Sequence, residues 1–585
     1  MHCLFPPIPR RTPVREFSVW APFAQSLLIE LNGERLPLVK SAEREGWWYL
    51  PAPSPRPGDR YAFLIDGQGP PLPDPRSLSQ PDGVHGASEV IATNEFTHCE
   101  HWRGKDLRGA VLYELHVGAF TPGGTFDAAI AKLAHLAALG VDAVEVMPVT
   151  AFPGERGWGY DGVDLFAVHS AYGGPHAFNR FITAAHEAGI AVVLDVVYNH
   201  LGPAGNYLGM FGPYFTSRHE TPWGQAVNLD DEGSGEVRAF IRDNARQWLE
   251  TFRLDGLRLD AVHELRDDSE RHILCDLAAD AATVSHPITL FAESDQNQPN
   301  TVTPLDRGGM GMQAQWADDI HHALHVFFSG ETSGYYADFA AANALEKTLT
   351  RVFLHDGGFS SFRNQNWGAP VDPSSPYYDG HAFVASLQNH DQVGNRAAGD
   401  RIHHTISPLA QRAAAALYLL SPFTPMLFMG EEWACSSPFA FFTDHDAELG
   451  PLVSAGRREE FARMGWGDEV PDPQSAQTAL DSRLDWDELA MPEHADMLAW
   501  YRELIALRHA HACFASGDLS QTSLRMLTER ALVYHRGACA VLINLGTSRV
   551  SVPDLSGMRI LAGTDSNAAF TGTAAPESVY VLCPK

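Results

Sequence analysis

The stretch Phe252-Arg253-Leu254-Asp255-Gly256-Leu257-Arg258-Leu259-Asp260-Ala261-Val262 limits what this chain can fold into more than any other. Gly256 to Leu259 reads as a buried strand, and Asp260 stands where that strand ends. Taken alone, Asp260 would be explained as the N-cap of a following helix. It is not alone. Glu293 closes Ile288-Thr289-Leu290-Phe291-Ala292, Asp391 follows the apolar run that begins at Phe383, and Asp195 lies within the run that begins at Ala191. Four acids on apolar strand runs are poorly explained as four unrelated caps. They fit one shared site at the carboxyl ends of parallel strands, where a (β/α)8 barrel gathers its chemistry.

The periodicity from Ala110 onward agrees. Apolar strand runs begin near Val111, Val141, Ala191, Gly256, Ile288, Gln313, Phe383 and Met426. Helical patterns separate several of them, and strand–helix repeats of this kind force parallel strands. One helix is capped by Thr125 and ended by Gly140; another follows the 3.6 period through Val237, Phe240, Ile241, Ala245, Trp248 and Phe252. Eight strands close a barrel. Two intervals, 201–235 and 316–381, are too long for plain crossovers and are expected to wall a substrate groove.

A barrel takes about 250 residues or more, so a chain of 585 has room for flanking units. Residues 12–95 look all-β, with an Asn32-Gly33 hairpin turn and strands around Trp47-Trp48-Tyr49 and Tyr61-Ala62-Phe63; they predict a small β-sandwich. Of Trp47 and Trp48, one is expected in the core and one at the surface. The proline-rich stretch 72–83 reads as an extended strap. A helix over 497–508 closes the central region, and β patterning returns after Cys513. The expected division is an N-terminal β-sandwich over 1–95, a catalytic barrel with inserts over 96–512, and a C-terminal β-domain over 513–585.

Several function classes are disfavoured. With 42 basic and 72 acidic residues the formal charge is −30, which argues against nucleic acid as a partner. The seven cysteines form no CxxC pair, so no structural zinc or thioredoxin-like centre is expected. Their sparse count, and a start (Met1 to Arg11) without a signal-peptide pattern, predict a cytoplasmic protein. The uncharged run from Ala413 to Gly430 contains Pro422 and Pro425 and is expected to split into a helix and a strand rather than cross a membrane. His321-His322-Ala323-Leu324-His325 lacks the glutamate of an HExxH motif and is read as lining the groove rather than binding metal. The oligomeric state is left open by the sequence.

The remaining chemistry points to sugar. Glycoside hydrolysis needs two carboxyl groups in unlike environments, one to protonate the leaving oxygen and one to attack the anomeric carbon or activate water. Asp260 and Glu293 fit, being at successive strand ends. Arg258 faces the same way as Asp260 by the period-two rule, and its charge is expected to keep Asp260 ionised. Glu293 follows an apolar strand, where desolvation is expected to raise its pKa. His200 and His390 lie beside acids at strand ends and can hydrogen-bond sugar hydroxyls. Trp158-Gly159-Tyr160 offers faces on which sugar rings stack.

At these residues the chain resembles the α-amylase family of glycoside hydrolases. The stretches Asp195-Val196-Val197-Tyr198-Asn199-His200, Asp255-Gly256-Leu257-Arg258-Leu259-Asp260, Phe291-Ala292-Glu293 and Asn389-His390-Asp391 look like that family's four sequence regions, in the family's order. The resemblance implies Asp260 as nucleophile, Glu293 as acid/base and Asp391 as the acid that stabilises the transition state and binds substrate hydroxyls. It implies support of the sugar by Arg258, His200 and His390, stacking on Tyr160, and a structural or substrate-positioning role for Asp195. It also implies retention of anomeric configuration, with carboxyl groups about 5–5.5 Å apart. Asn199 matches a position that helps bind calcium in some relatives; no metal and no cofactor is expected here. Further stretches, 72–86, 330–339 and 465–474, look most like members that cut the α-1,4 bond beside the terminal trehalose of a malto-oligosaccharide. The alternatives are a glucan branching enzyme and a non-catalytic glycan-binding protein.

Overall fold

A computed structural model describes residues 17–462, 470–564 and 568–585. The start of the chain and residues 465–469 of the 465–474 stretch lie outside the described residues. Eight parallel strands form a closed barrel: β1 (Leu112–Leu115), β2 (Ala143–Val146), β3 (Ala191–Val196), β4 (Gly256–Leu259), β5 (Thr289–Ala292), β6 (Ala314–Trp316), β7 (Phe383–Ser386) and β8 (Thr424–Phe428). Each strand pairs with its sequence neighbour, and β8 returns to β1. Alternation sets the interior. Leu112, Ala143, Val193, Phe291, Trp316, Val384 and Met426 pack together as its apolar plug. Two residues further along several of these strands, the same face carries Glu114, Glu145, Asp195 and Glu293. The barrel is therefore apolar within and charged at its carboxyl rim.

The helices that cover the barrel include α1 (Gly174–Glu187), α2 (Ser234–Arg246), α3 (Asp318–Ser329), α4 (Pro408–Leu419) and α5 (Pro492–Ala510). α2 continues through a π-helical turn, Gln247–Thr251, into β4. The helix expected after Thr125 is broken into Phe126–Ile130 and Leu133–Leu139, and the Gly140 that ends it is left-handed at φ 95°. The run from Ala413 to Gly430 splits into the end of α4 and β8, as Pro422 and Pro425 require. Among the described residues no helix is long and apolar enough to cross a membrane.

Before the barrel lie a three-stranded and a four-stranded sheet; after it a five-stranded sheet, with a two-stranded one beside it. The Asn32-Gly33 turn joins Leu27–Leu31 to Glu34–Pro37. Trp47 and Trp48 are both buried, which corrects the expectation of one surface ring. The strand's second face is covered by the barrel: Trp47 Nε1 donates to Glu236 Oε2 of α2 at 3.2 Å, while Trp48 Nε1 donates inward to Ala21 O at 3.1 Å. The proline-rich strap is held at both sides, by Tyr61 Oη to Asp74 at 2.8 Å and by Arg76 to Asp243 of α2 at 3.0 Å.

Candidate active site

All eight residues singled out from the sequence meet at the carboxyl rim of the barrel. Arg258 is the hub. It is fully buried, stacks over Trp316 at 4.4 Å, and its Nη1 donates to Asp195 (3.0 and 2.9 Å) and to Asp260 Oδ1 at 2.7 Å. Its Nη2 lies 3.8 Å from Glu293 Oε2. Asn199 Nδ2 donates to both the carbonyl and Oδ2 of Asp260 at 2.8 Å. Burial alone would raise the Asp260 pKa, but the Arg258 charge and the Asn199 hydrogen bond outweigh it, and the carboxyl sits below its ordinary range. In this structure the Asn199 amide is committed to Asp260.

Glu293 is treated oppositely. Desolvation dominates, and Asp260 and Asp391 add repulsion, so despite Arg258 its pKa is raised to about 8. Its Oε2 accepts the Ala261 N–H at 2.5 Å. Ala261 holds φ 38°, a left-handed conformation that L residues seldom adopt. That turn aims the backbone N–H just past Asp260 at Glu293, so the two carboxyls are positioned by one distorted segment.

Asp391 lies in the first turn of His390–Gly394; its side chain is 42% exposed and accepts from Asn395 Nδ2 at 3.1 Å. Asp195 is buried, accepts Tyr160 Oη at 2.6 Å, and has its pKa raised to about 6 by desolvation, against the pull of Arg258. Tyr160 stacks on His390 with centroids 5.0 Å apart. His200 is held from three sides: Nε2 bonds Tyr160 O at 2.8 Å, Nδ1 meets Asn199 Oδ1, and Trp223 stacks on the ring at 4.1 Å. Both ring nitrogens are engaged by protein, so His200 holds the rim together as it stands.

A cleft of about 620 Å³ opens here between Tyr160, His200, Phe215, Trp223 and Phe441. Its far wall is the hairpin Phe215–Thr221 and Gly224–Val227, within the first insert. The second insert closes on the loop after β5 from the other side: Arg363 reaches Asp295 at 2.9 Å, and Trp367 Nε1 donates to Asp295 O at 2.6 Å. His321 and His325 do not line the groove as expected. Both are buried, His321 Nδ1 against Leu387 O at 2.8 Å and His325 stacked on Tyr336 at 4.3 Å. Among the described residues one His/Asp group has metal-like spacing, His219, Asp230 and Asp268. It already forms an ion-pair knot, with His219 on Asp230 at 2.8 Å and Arg218 beside both acids.

The structure adds residues the sequence reading passed over. Glu114 and Glu145 stand opposite one another on β1 and β2. Asp318, at the start of α3, carries a pKa raised to about 7 by burial and by Asp391, Asp319 and Asp295. An acid within an apolar strand run, the pattern used for Asp195, also marks Glu114 and Glu145.

A parallel barrel whose rim favours the ionised form of one carboxyl and the protonated form of its neighbour has the arrangement of a glycoside hydrolase, and residues 77–210 match the alpha amylase catalytic-domain family, which sets the class. Over 568 residues the chain is 48% identical to a malto-oligosyltrehalose trehalohydrolase from Arthrobacter ramosus, covering 95% of this chain and 97% of that one. It is 46% identical over 569 residues to one from Rhizobium sp. strain M-11, covering 95% of each. A crystal structure described as a putative alpha amylase from Salmonella typhimurium superposes with TM-score 0.89 at 38% identity over 97% of both chains. A 1,4-alpha-glucan branching enzyme from Rhizobium johnstonii is 30% identical but covers only 54% of this chain and 49% of its own. The chain belongs to the malto-oligosyltrehalose trehalohydrolase family.

Proposed function

We propose that the protein hydrolyses the α-1,4 bond adjacent to the terminal trehalose of a malto-oligosaccharide, with retention, releasing trehalose. The observation that carries the chemistry is the opposite treatment of Asp260 and Glu293 around one arginine. Asp260, kept ionised by Arg258 and Asn199, attacks the anomeric carbon while Glu293 protonates the departing oxygen of trehalose. The C–O bond to trehalose breaks and a glycosyl ester forms on Asp260. Glu293, now ionised, takes a proton from water, which displaces Asp260 and regenerates both groups. Asp391 receives substrate hydroxyls, Tyr160 stacks beneath the ring at the cleavage point, and Asp195 holds Arg258 and Tyr160 in place. His200 and His390 support the sugar through these contacts. The steps use protein carboxyls, and no metal or cofactor is assigned to them. The described cysteines are unpaired thiols, which suits a cytoplasmic enzyme. The limits 1–95, 96–512 and 513–585 are taken as its three units.

The test is product analysis on maltohexaose and its trehalose-terminated counterpart. Free trehalose from the second, with little cleavage of the first, is the expected outcome. Equal cleavage of both, or transfer into longer branched chains, would move the assignment to an amylase or a branching enzyme.

A further inference from the structure

His390 is gripped from both ends. Below it, the Glu114 carboxyl, 1% exposed, accepts the His390 backbone N–H at 2.8 Å and lies 2.5 Å from Nδ1. Above it, Nε2 is 2.7 Å from Tyr160 Oη and 3.5 Å from Asp391 Oδ2. The direction of this chain of hydrogen bonds is determined. Asp195 and Arg258 form an ion pair, so the Asp195 oxygen 2.6 Å from Tyr160 is an acceptor and takes the one phenol proton. Tyr160 then meets His390 with a lone pair, and Nε2 must donate. Nδ1 must donate as well, because Glu114 accepts.

We propose that Glu114 is a positioning residue of the reaction, which locks His390 as a double donor and so orients Tyr160 and sets a positive edge against Asp391.

The surroundings support a charged ring. Burial and Arg258 oppose it, but Asp391 and Glu114 outweigh them and raise the His390 pKa to about 9. The other titratable groups nearby are Glu145 and His116. Glu145, opposite Glu114, has neither oxygen partnered, and desolvation with Glu114 beside it holds it protonated. His116 is kept neutral by burial. Trp158 and Trp316 fill the remaining space around the ring.

The proposal concerns catalysis at His390 and not the trehalose end, so it is read on whichever of the two substrates the wild type cleaves. Wild type, Glu114→Gln and Glu114→Asp are compared by kcat and KM across about pH 6–8, and by NMR of the imidazole N–H groups in protein labelled at histidine. Wild-type His390 is expected to show both ring protons at about pH 7.5. In Glu114→Gln, kcat should fall about ten-fold or more with a smaller change in KM. The loss should deepen as pH rises through the ordinary histidine range, because the ring now deprotonates there, and Glu114→Asp should recover part of it. No loss, or a loss independent of pH with His390 still doubly protonated, overturns the proposal. So does a wild-type His390 with a single ring proton at about pH 7.5, a result that does not depend on the variants folding.

Discussion

One guanidinium, that of Arg258, stands between two carboxyls that must behave oppositely. It reaches Asp260 at 2.7 Å but Glu293 only at 3.8 Å; at Asp260 its charge and the Asn199 hydrogen bond overcome burial, whereas at Glu293 desolvation and the repulsion of Asp260 and Asp391 prevail. The sign of the pH dependence follows. Glu293 must hold a proton for the first step, so kcat/KM should fall as pH rises through about 8, its raised value. Asp260 must be ionised, so the acidic limb should lie below the ordinary carboxyl range. Glu293→Gln should lower kcat by about 10²–10⁴-fold, the usual worth of a general acid, measured as reducing-sugar release. Asp318 adds charge on the Glu293 side, and its repulsion contributes to the raised value. Asp318→Asn should therefore move the basic limb of the pH profile to lower pH; an unmoved limb would place the Asp318 charge too far away to matter. The proton affinities of Asp260 and Glu293 were predictable from sequence because one arginine at period two and one apolar strand set them. That of Asp318 was not, because its neighbours come from the loop after β5 and the segment after β7.

Among elements, the strands were the legible part. β4 runs over the same four residues, Gly256 to Leu259, that the apolar pattern marks, because a strand buried on both faces cannot hide its hydrophobicity. Residues carried by the inserts were harder to read. Trp223 sits at an exposed turn, 52% accessible, and nothing local signals that the hairpin folds back to lay it on His200. His321 and His325 misled for the converse reason: polar type suggested a groove, whereas helix α3 turns them into an aromatic cluster with Tyr336. Two element-scale outcomes follow. Trp223→Ala removes one wall of the cleft and should raise KM more than it lowers kcat, since aromatic stacking holds substrate and transition state alike. Gly159 has φ 96°, and an added Cβ would collide with Pro148 O. Gly159→Ala should therefore shift Trp158 and Tyr160 together and lower kcat/KM, whereas an alanine at the open Gly209 should leave kinetics unchanged.

At the scale of the whole molecule, the sheet after the barrel is joined to it by buried arginines rather than by a loose linker. Arg508 of α5 donates to the Gly109, Leu419, Ser421 and Phe423 carbonyls and, beyond the barrel, to Phe514 O at 3.4 Å. Arg536, on the C-terminal sheet, donates to Leu420 O at 3.0 Å, to Thr522 Oγ1 at 2.6 Å and to Ser516 O. Tyr534 of the same sheet donates to Leu349 O at 3.2 Å. Composition could place a β-domain after residue 512, but not these ties, because a lone arginine in a strand pattern looks like a solvated residue until a barrel carbonyl lies against it. Such a seam predicts cooperative unfolding. Arg536→Met keeps most of the side-chain volume and removes the donors, leaving the buried Leu420 O without its partner, whereas Ser516 and Thr522 are half-buried and can turn to water. At about 1–3 kcal/mol for an unsatisfied buried group, the loss should be about 1–3 kcal/mol. All thirteen tryptophans lie at or before Trp500, so urea unfolding followed in parallel by hydrogen exchange of the C-terminal sheet's amides and by residual hydrolysis checks this. Coincident transitions, both moved to lower urea in the variant, are expected if barrel and C-terminal sheet unfold together. Activity that survives beyond the transition of the sheet's amides would mean that the barrel stands without the sheet, and that Arg536 secures only the sheet.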